Sequence, residues 1–316
     1  MHALAMTPGH QAVTASAPER LHELLSTGDR AAWATAALAL VAGHGGTPEL
    51  RRSAESVLTA LGISLPHAGP GTDGAGLDRA GLAAQAAAPL LQTSSLVRGG
   101  ELWADQPDEA LIAQGRASAQ GAAAFERLGL PFMAGLAEAL ATPGARMLDV
   151  GTGVAALAAS YAELFPELTV VGIDVLPRVL ALAQDLLRSS PVADRVVLRE
   201  QDVSELTEED TFALAWLPAP FVPEEKLRAG LPRLARSLVP GGWLILGHGK
   251  LAGDPLDEAL TRFKTVSYGG TALSDQQAEG LLTTAGLVDV ATVPTPVGAP
   301  AITIGRRTQP STSATS

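Results

Sequence analysis

From Arg146 onward the chain alternates short apolar runs with helical stretches, and this alternation constrains the possible folds more than any other feature. Residues 147–150, 170–173, 196–199, 212–217 and 243–246 read as strands. Helical spacing fills 154–165, 177–187 and 224–238, the second with Pro177 at its start. Repeated strand–helix–strand units of this length build an open parallel sheet covered by helices on both faces. The end of the chain breaks the pattern. A helix over 274–286, with Ser274 and Gln277 spaced as a capping box, precedes two strand-like segments, 288–293 and 301–305. The short Pro/Gly-rich connection between those segments fits an antiparallel hairpin and is too short for a crossover. The expectation is a seven-stranded α/β sheet whose last strand runs antiparallel.

The first 140 residues read differently. Residues 18–62 are helical by pattern, with an Ala/Leu-rich stretch at 31–42 and an N-cap, proline and acid at Thr47-Pro48-Glu49. Residues 65–76 are a loop by composition. Helices are expected again over 82–97, from Asp105 to Leu128 and over 136–140. This gives a helical N-terminal region over 1–140, a sheet domain over 141–307 and a disordered Ser/Thr-rich tail over 308–316. Residues 1–17 read as a frayed arm.

Composition removes several classes of function. With no cysteine, disulfides, thiolate metal sites and thiol nucleophiles are excluded. A net charge of −11 argues against nucleic acid and anionic membrane as partners. Charged residues make up 17%, against about 25% in ordinary soluble domains. The excess of Arg (nineteen) over Lys (three) reads as codon bias. No basic segment followed by an apolar core marks a signal peptide, and residues 31–43 are too short to span a bilayer. A cytoplasmic protein without a metal is the expectation.

The chemistry is carried by Met147-Leu-Asp-Val-Gly-Thr-Gly-Val-Ala-Ala156, which runs from strand to helix. Gly151 and Gly153 allow a tight turn in which backbone N–H groups can approach a ligand. By itself this turn is ambiguous. Gly151, Gly153 and Ala156 also satisfy the dinucleotide fingerprint, with Asp174 at the distance of a ribose-binding acid, and a glycine pair can simply be a packing turn. Four further features separate these readings: Asp149 two residues before the first glycine, Asp202 at the end of the third strand, Val239-Pro-Gly-Gly-Trp ahead of the fifth strand, and the terminal hairpin.

Together these residues resemble the class I S-adenosylmethionine-dependent methyltransferases of small-molecule, natural-product type. The resemblance covers residues 146–306, about half the chain. It implies a Rossmann-like sheet, S-adenosylmethionine as cofactor, and cofactor-binding roles for Asp149, Gly151, Thr152, Gly153, Asp174, Val175, Asp202, Val203 and Leu217. Carboxylates at these positions suit a cationic, hydroxyl-rich ligand and repel a diphosphate. Ala155 stands where the family often has a third glycine.

The acceptor is less constrained. The loop Leu217-Pro-Ala-Pro-Phe221 lacks the Asp/Asn-Pro-Pro-Tyr/Phe pattern that amino-methylating enzymes of the family carry for nucleobases. His248, between two glycines just past the fifth strand, is the candidate general base, the alternative being a partly exposed loop histidine. Trp103, Gln114, Arg116 and Tyr268 are weaker candidates for lining the acceptor pocket, each also compatible with ordinary packing. The expected reaction is methyl transfer to a small molecule, with oxygen favoured as the acceptor. Nitrogen or carbon acceptors, an NAD-dependent oxidoreductase and a methyltransferase fold that moves no methyl group stand as alternatives. The apolar stripes of the N-terminal helices need burial, which a homodimer would supply.

Overall fold

The computed structural model describes residues 17–43, 45–65, 78–100, 103–251, 254–295 and 299–309. Most of the expected N-terminal arm, of the 65–76 loop and of the terminal tail lies outside them. The chain forms two compact units, Met1–Ala75 and Gly76–Ser316. The division falls in the Pro/Gly-rich stretch, so the helices between it and residue 140 belong with the sheet.

The first unit pairs α1 (Ala17–Gly43) with α2 (Pro48–Ala60). Thr47 caps α2 by accepting the Leu50 N–H, and Ala37, Val41, Ala54 and Leu58 form a small core between the two helices. Leu21, Leu24, Leu25 and Trp33 of α1 remain exposed.

In the second unit, α3 (Arg79–Val97), α4 (Asp108–Leu128) and α5 (Leu136–Leu140) lead into the sheet. Its strands are β1 (Arg146–Val150), β2 (Thr169–Asp174), β3 (Val196–Glu200), β4 (Phe212–Pro218), β5 (Leu238–His248), β6 (Val288–Val293) and β7 (Ala301–Arg306). They lie in the order β3-β2-β1-β4-β5-β7-β6. The first five are parallel, and β7 runs antiparallel to both β5 and β6. The expected sheet is observed, including its reversed last strand.

Alternation along each strand divides the core. Met147, Val170, Leu214 and Ile245 face α4, α5, α6 (Ala156–Leu164) and α7 (Pro177–Leu187). Leu148, Val171, Ala215 and Leu244 face α8 (Glu224–Ser237) and α10 (Asp275–Thr284). The capping box at Ser274 and Gln277 forms as expected and contributes about 1 kcal/mol to α10. Between β5 and α10 lies α9 (Pro255–Ser267).

Two element boundaries differ from expectation for local reasons. The helix expected from residue 154 begins at Ala156, because Ala155 adopts a left-handed conformation (φ 58°, ψ 20°). The fifth strand is longer than expected. Its Pro-Gly-Gly entry pairs with β4 through a register shift between Phe212 and Leu214, and its far end continues to His248.

Candidate active site

Strand order reverses between β2–β1 and β4–β5, and open α/β sheets bind ligands at the carboxyl edge of such a switch point. The glycine turn after β1 lies there. Gly151 and Gly153 have φ of 63° and 57°, a region that only glycine adopts without strain. Gly151 is exposed, and a side chain built on it would point at Pro218 Cγ of β4, 3.7 Å away, across the crevice. The Thr152 N–H donates to the Ile173 carbonyl at 3.0 Å and ties the turn to β2.

Two carboxylates hold this turn, and a third stands just past β3. Asp149 is 2% exposed and accepts the Thr152 hydroxyl at 2.7 Å. Burial pushes its pKa up to about 7. The Thr152 hydrogen bond opposes that rise and the Asp174 charge adds to it. Asp174, at the end of β2, accepts the Gly153 N–H at 2.9 Å on one oxygen and the Leu176 N–H at 3.0 Å on the other. Burial raises its pKa, while those backbone bonds pull it back. With the Val175 N–H also bonded to this carboxylate, one lone pair is left open. Val175 follows on the surface, 55% exposed.

Asp202 is more heavily engaged. One oxygen accepts both the N–H and the hydroxyl of Ser204, and the other pairs with Lys226 at 3.0 Å. Burial raises its pKa, but the Ser204 and Lys226 contacts outweigh that and hold it below the usual range. The side chains of Val203 and Leu217 belong to the core on the α8 face, so only their main chains are available to a ligand.

An aromatic cluster adjoins the turn. Trp103 packs against a group formed by Leu111, Val154 and Val179, and Val154 directly follows the turn. The Trp103 ring meets Phe221 edge-on at 4.8 Å and Tyr268 at 5.6 Å, while Phe221 and Tyr268 stack at 4.9 Å. Behind the rings runs a polar ladder. The Tyr268 hydroxyl donates to Gln92 Oε1 (2.8 Å), Gln92 Nε2 donates to Gln114 Oε1 (2.9 Å), and Gln114 Nε2 donates to Ser118 Oγ (3.1 Å). The loop carrying Phe221 is fixed from α9's side, where Thr271 donates its N–H to the Ala219 carbonyl and its hydroxyl to the Val222 carbonyl, both at 2.8 Å.

Comparison with known proteins gives this geometry a family. Residues 147–242 match the family described as a methyltransferase domain. Over that stretch the chain carries a methyltransferase domain. A release factor glutamine methyltransferase from Rhodopirellula baltica is 29% identical over 106 residues, which cover 33% of this chain and 36% of that protein. The matched part thus spans about a third of the curated relative. Among solved structures, an O-methyltransferase family protein from Burkholderia thailandensis shares the fold (TM-score 0.63, 18% identity, 94% of this chain and 99% of that one). Human N-acetylserotonin methyltransferase, solved in complex with SAM, shares it too (TM-score 0.55, 16% identity, 95% of this chain and all of that one).

The methyltransferase domain gathers most of the residues singled out from sequence, but not all. Trp103, Gln114 and Tyr268 belong to one connected cluster. Arg116, two residues past Gln114 on α4, is exposed and stands outside that cluster. His248 requires a correction. It lies inside β5, with 0% exposure, and is not a loop residue past it. Its Nε2 faces Thr303 Oγ1 at 2.9 Å and its Nδ1 faces the Gly249 carbonyl at 3.2 Å. With both ring nitrogens engaged inside the protein, neither is presented to an acceptor as a general base.

Gln92 and Phe221 were not singled out as site residues. Gln92 had a signal, a polar side chain within the Ala/Leu-rich α3, where burial requires a partner. Phe221 lay in a proline-bounded loop in which pocket lining and packing look alike.

Among the described residues no group of His, Asp and Glu could hold a metal ion, and no helix is long and apolar enough to cross a membrane.

Proposed function

We propose that the chain transfers a methyl group from S-adenosylmethionine to a hydroxyl of a small planar acceptor. The observation that carries the reading is the acidic lining of the glycine turn, Asp149 and Asp174, placed beside an aromatic cluster at the switch point. The cofactor supplies a methyl group on a positively charged sulfur, and the residues present fit such a molecule. Gly151 leaves room at the crevice, and Asp174 keeps a lone pair for a ribose hydroxyl. Val175 provides an exposed apolar contact, and Asp149 places acidity behind the turn. The Gln106 Oε1, buried without a partner, is a further acceptor ahead of α4. A pyrophosphate would meet the same carboxylates as like charges.

Trp103, Phe221 and Tyr268 form the acceptor wall in this reading. With its own proton given to Gln92, the Tyr268 oxygen is left as an acceptor toward an O–H. Since His248 is sequestered, rate acceleration rests on holding the nucleophile in line with the methyl group, which can supply several kcal/mol. The full-length likeness to an O-methyltransferase family protein supports oxygen as the acceptor atom. The sequestration of His248 favours a second reading, an amine acceptor, because a neutral amine needs no base.

Calorimetry with S-adenosylhomocysteine and with NAD tests the cofactor. Binding of NAD alone would overturn the proposal. Transfer of a labelled methyl group to hydroxyl- and amino-bearing acceptors separates oxygen from nitrogen, and a chain that binds cofactor but moves no label would be a binding protein. We further propose a homodimer that covers Leu21, Leu24, Leu25 and Trp33, to be checked by light scattering of wild type and Trp33→Glu.

A further inference from the structure

A buried oxygen without a partner lies in the turn ahead of α4. Gln106 is 3% exposed, and its Oε1 has no hydrogen-bond partner among the described residues. Burying such an atom without a hydrogen lowers stability, which a ligand that brings the hydrogen would recover. Three contacts fix where Gln106 lies. Its N–H donates to the Trp103 carbonyl at 3.2 Å and closes the turn. Its carbonyl accepts from Arg178, the second residue of α7, and Arg178 also pairs with Asp108 at 3.0 Å. Trp103 packs in the same apolar group as Leu176 and Val154. Leu176 is the residue whose N–H Asp174 accepts, and Val154 directly follows the glycine turn. Gln106 is thus tied through its main chain to the rim of the crevice at which Asp174 stands.

Counting acceptors shows what that crevice lacks. A ribose carries a pair of neighbouring hydroxyls, each with one hydrogen to give. A carboxylate offers about four lone-pair sites. On Asp174 the N–H groups of Gly153, Leu176 and Val175 take all but one of them. Asp174 can therefore hold one ribose hydroxyl. The other needs a second acceptor.

We infer that Gln106 is a cofactor-binding residue whose Oε1 accepts one hydroxyl hydrogen of the cofactor's ribose while Asp174 accepts the other. The amide reaches the crevice by rotation about its terminal torsion, which is soft in glutamine. The contact sets the cofactor against the turn that carries Trp103 of the aromatic cluster. This inference rests on S-adenosylmethionine as the cofactor.

The test is calorimetry of S-adenosylhomocysteine and of its 2′-deoxy and 3′-deoxy analogues with wild type, Gln106→Met and Gln106→Leu. Wild type should bind each deoxy analogue about tenfold more weakly than the parent ligand. Both variants should bind S-adenosylhomocysteine about tenfold more weakly than wild type does, and should no longer distinguish it from one of the two analogues. Without ligand, both variants should melt at a higher temperature than wild type, because the orphaned oxygen is gone. Wild-type affinity in the variants, or a lower melting temperature with an equal loss for all three ligands, would overturn the inference. A wild type that fails to bind S-adenosylhomocysteine would instead overturn the cofactor reading, and this inference with it.

Discussion

Gly172 of β2 lies beneath Thr152. A Cβ on Gly172 would come within 2.6 Å of Thr152 Oγ1, the atom whose hydrogen Asp149 accepts at 2.7 Å. The missing side chain on one strand therefore sets the position of the hydroxyl that holds the buried carboxylate on the next.

Gly172→Ala should push Thr152 off Asp149 with the sheet otherwise intact. Overpacking of this kind costs about 1–3 kcal/mol, read as a lower urea midpoint. Loss of the hydrogen bond should also weaken S-adenosylhomocysteine binding by about tenfold in calorimetry. Thr152→Val, which removes the hydroxyl without overpacking, should reproduce the loss of affinity with a smaller loss of stability. If both variants bind like wild type, the Thr152–Asp149 contact does not organise the site.

Asp149 makes stability depend on pH in a stated direction. Its folded pKa of about 7 lies above the ordinary 3.8, so the folded state binds the extra proton and its contribution is greatest when the carboxyl is protonated. That contribution should fall as pH rises from about 4 to about 7 and be lost above the folded value. A cationic ligand favours the ionised form and should bind more tightly as pH rises through the same window. Thermal unfolding and calorimetry across this range should show opposite trends in wild type, and Asp149→Asn should flatten both.

The fold was legible because alternation, glycine turns and caps are local signals. Gly151 and Gly153, the capping box of Ser274 with Gln277, and the hairpin between 288 and 305 each announce a geometry that neighbouring residues settle. The placement of Asp149 and Asp174 beside the turn was legible as well, since it follows from their spacing to the glycines. His248 was not. Whether a histidine at a strand end faces a crevice or a helix depends on where β7 inserts, and Thr303 lies 55 residues away. The same holds for Gln92, whose partner Tyr268 is 176 residues distant. Pairing across such separations leaves no trace in spacing.

Two glycines in the C-terminal part should respond to alanine in opposite ways. At Gly270 a Cβ would stand 1.9 Å from the Pro220 carbonyl oxygen, backbone that cannot swing aside. Gly270→Ala should therefore displace the loop bearing Phe221, lower the melting temperature and abolish methyl transfer. At Gly280, in α10, a Cβ would meet nothing within 4 Å. Gly280→Ala should stabilise the protein by about 0.5–1 kcal/mol through reduced freedom of the unfolded chain. Differential scanning calorimetry of both checks the contrast, and an unperturbed Gly270→Ala would refute the close approach.

The ladder behind the aromatic rings predicts energetic coupling between α3 and the end of α9. Gln92 is 7% exposed and bonds Tyr268 on one side and Gln114 on the other. Gln92→Leu leaves the Tyr268 hydroxyl and Gln114 Oε1 without their partner in a largely buried setting, which costs about 1–3 kcal/mol per orphaned group. Tyr268→Phe removes only the hydroxyl and, with it, one acceptor contact of Gln92. If the two side chains act through their shared bond, the double variant should be more stable than the summed losses imply, by about 0.5–1.5 kcal/mol. Urea unfolding of the four proteins gives the cycle. Strict additivity would mean that Tyr268 is held by its stacking on Phe221 and not by Gln92.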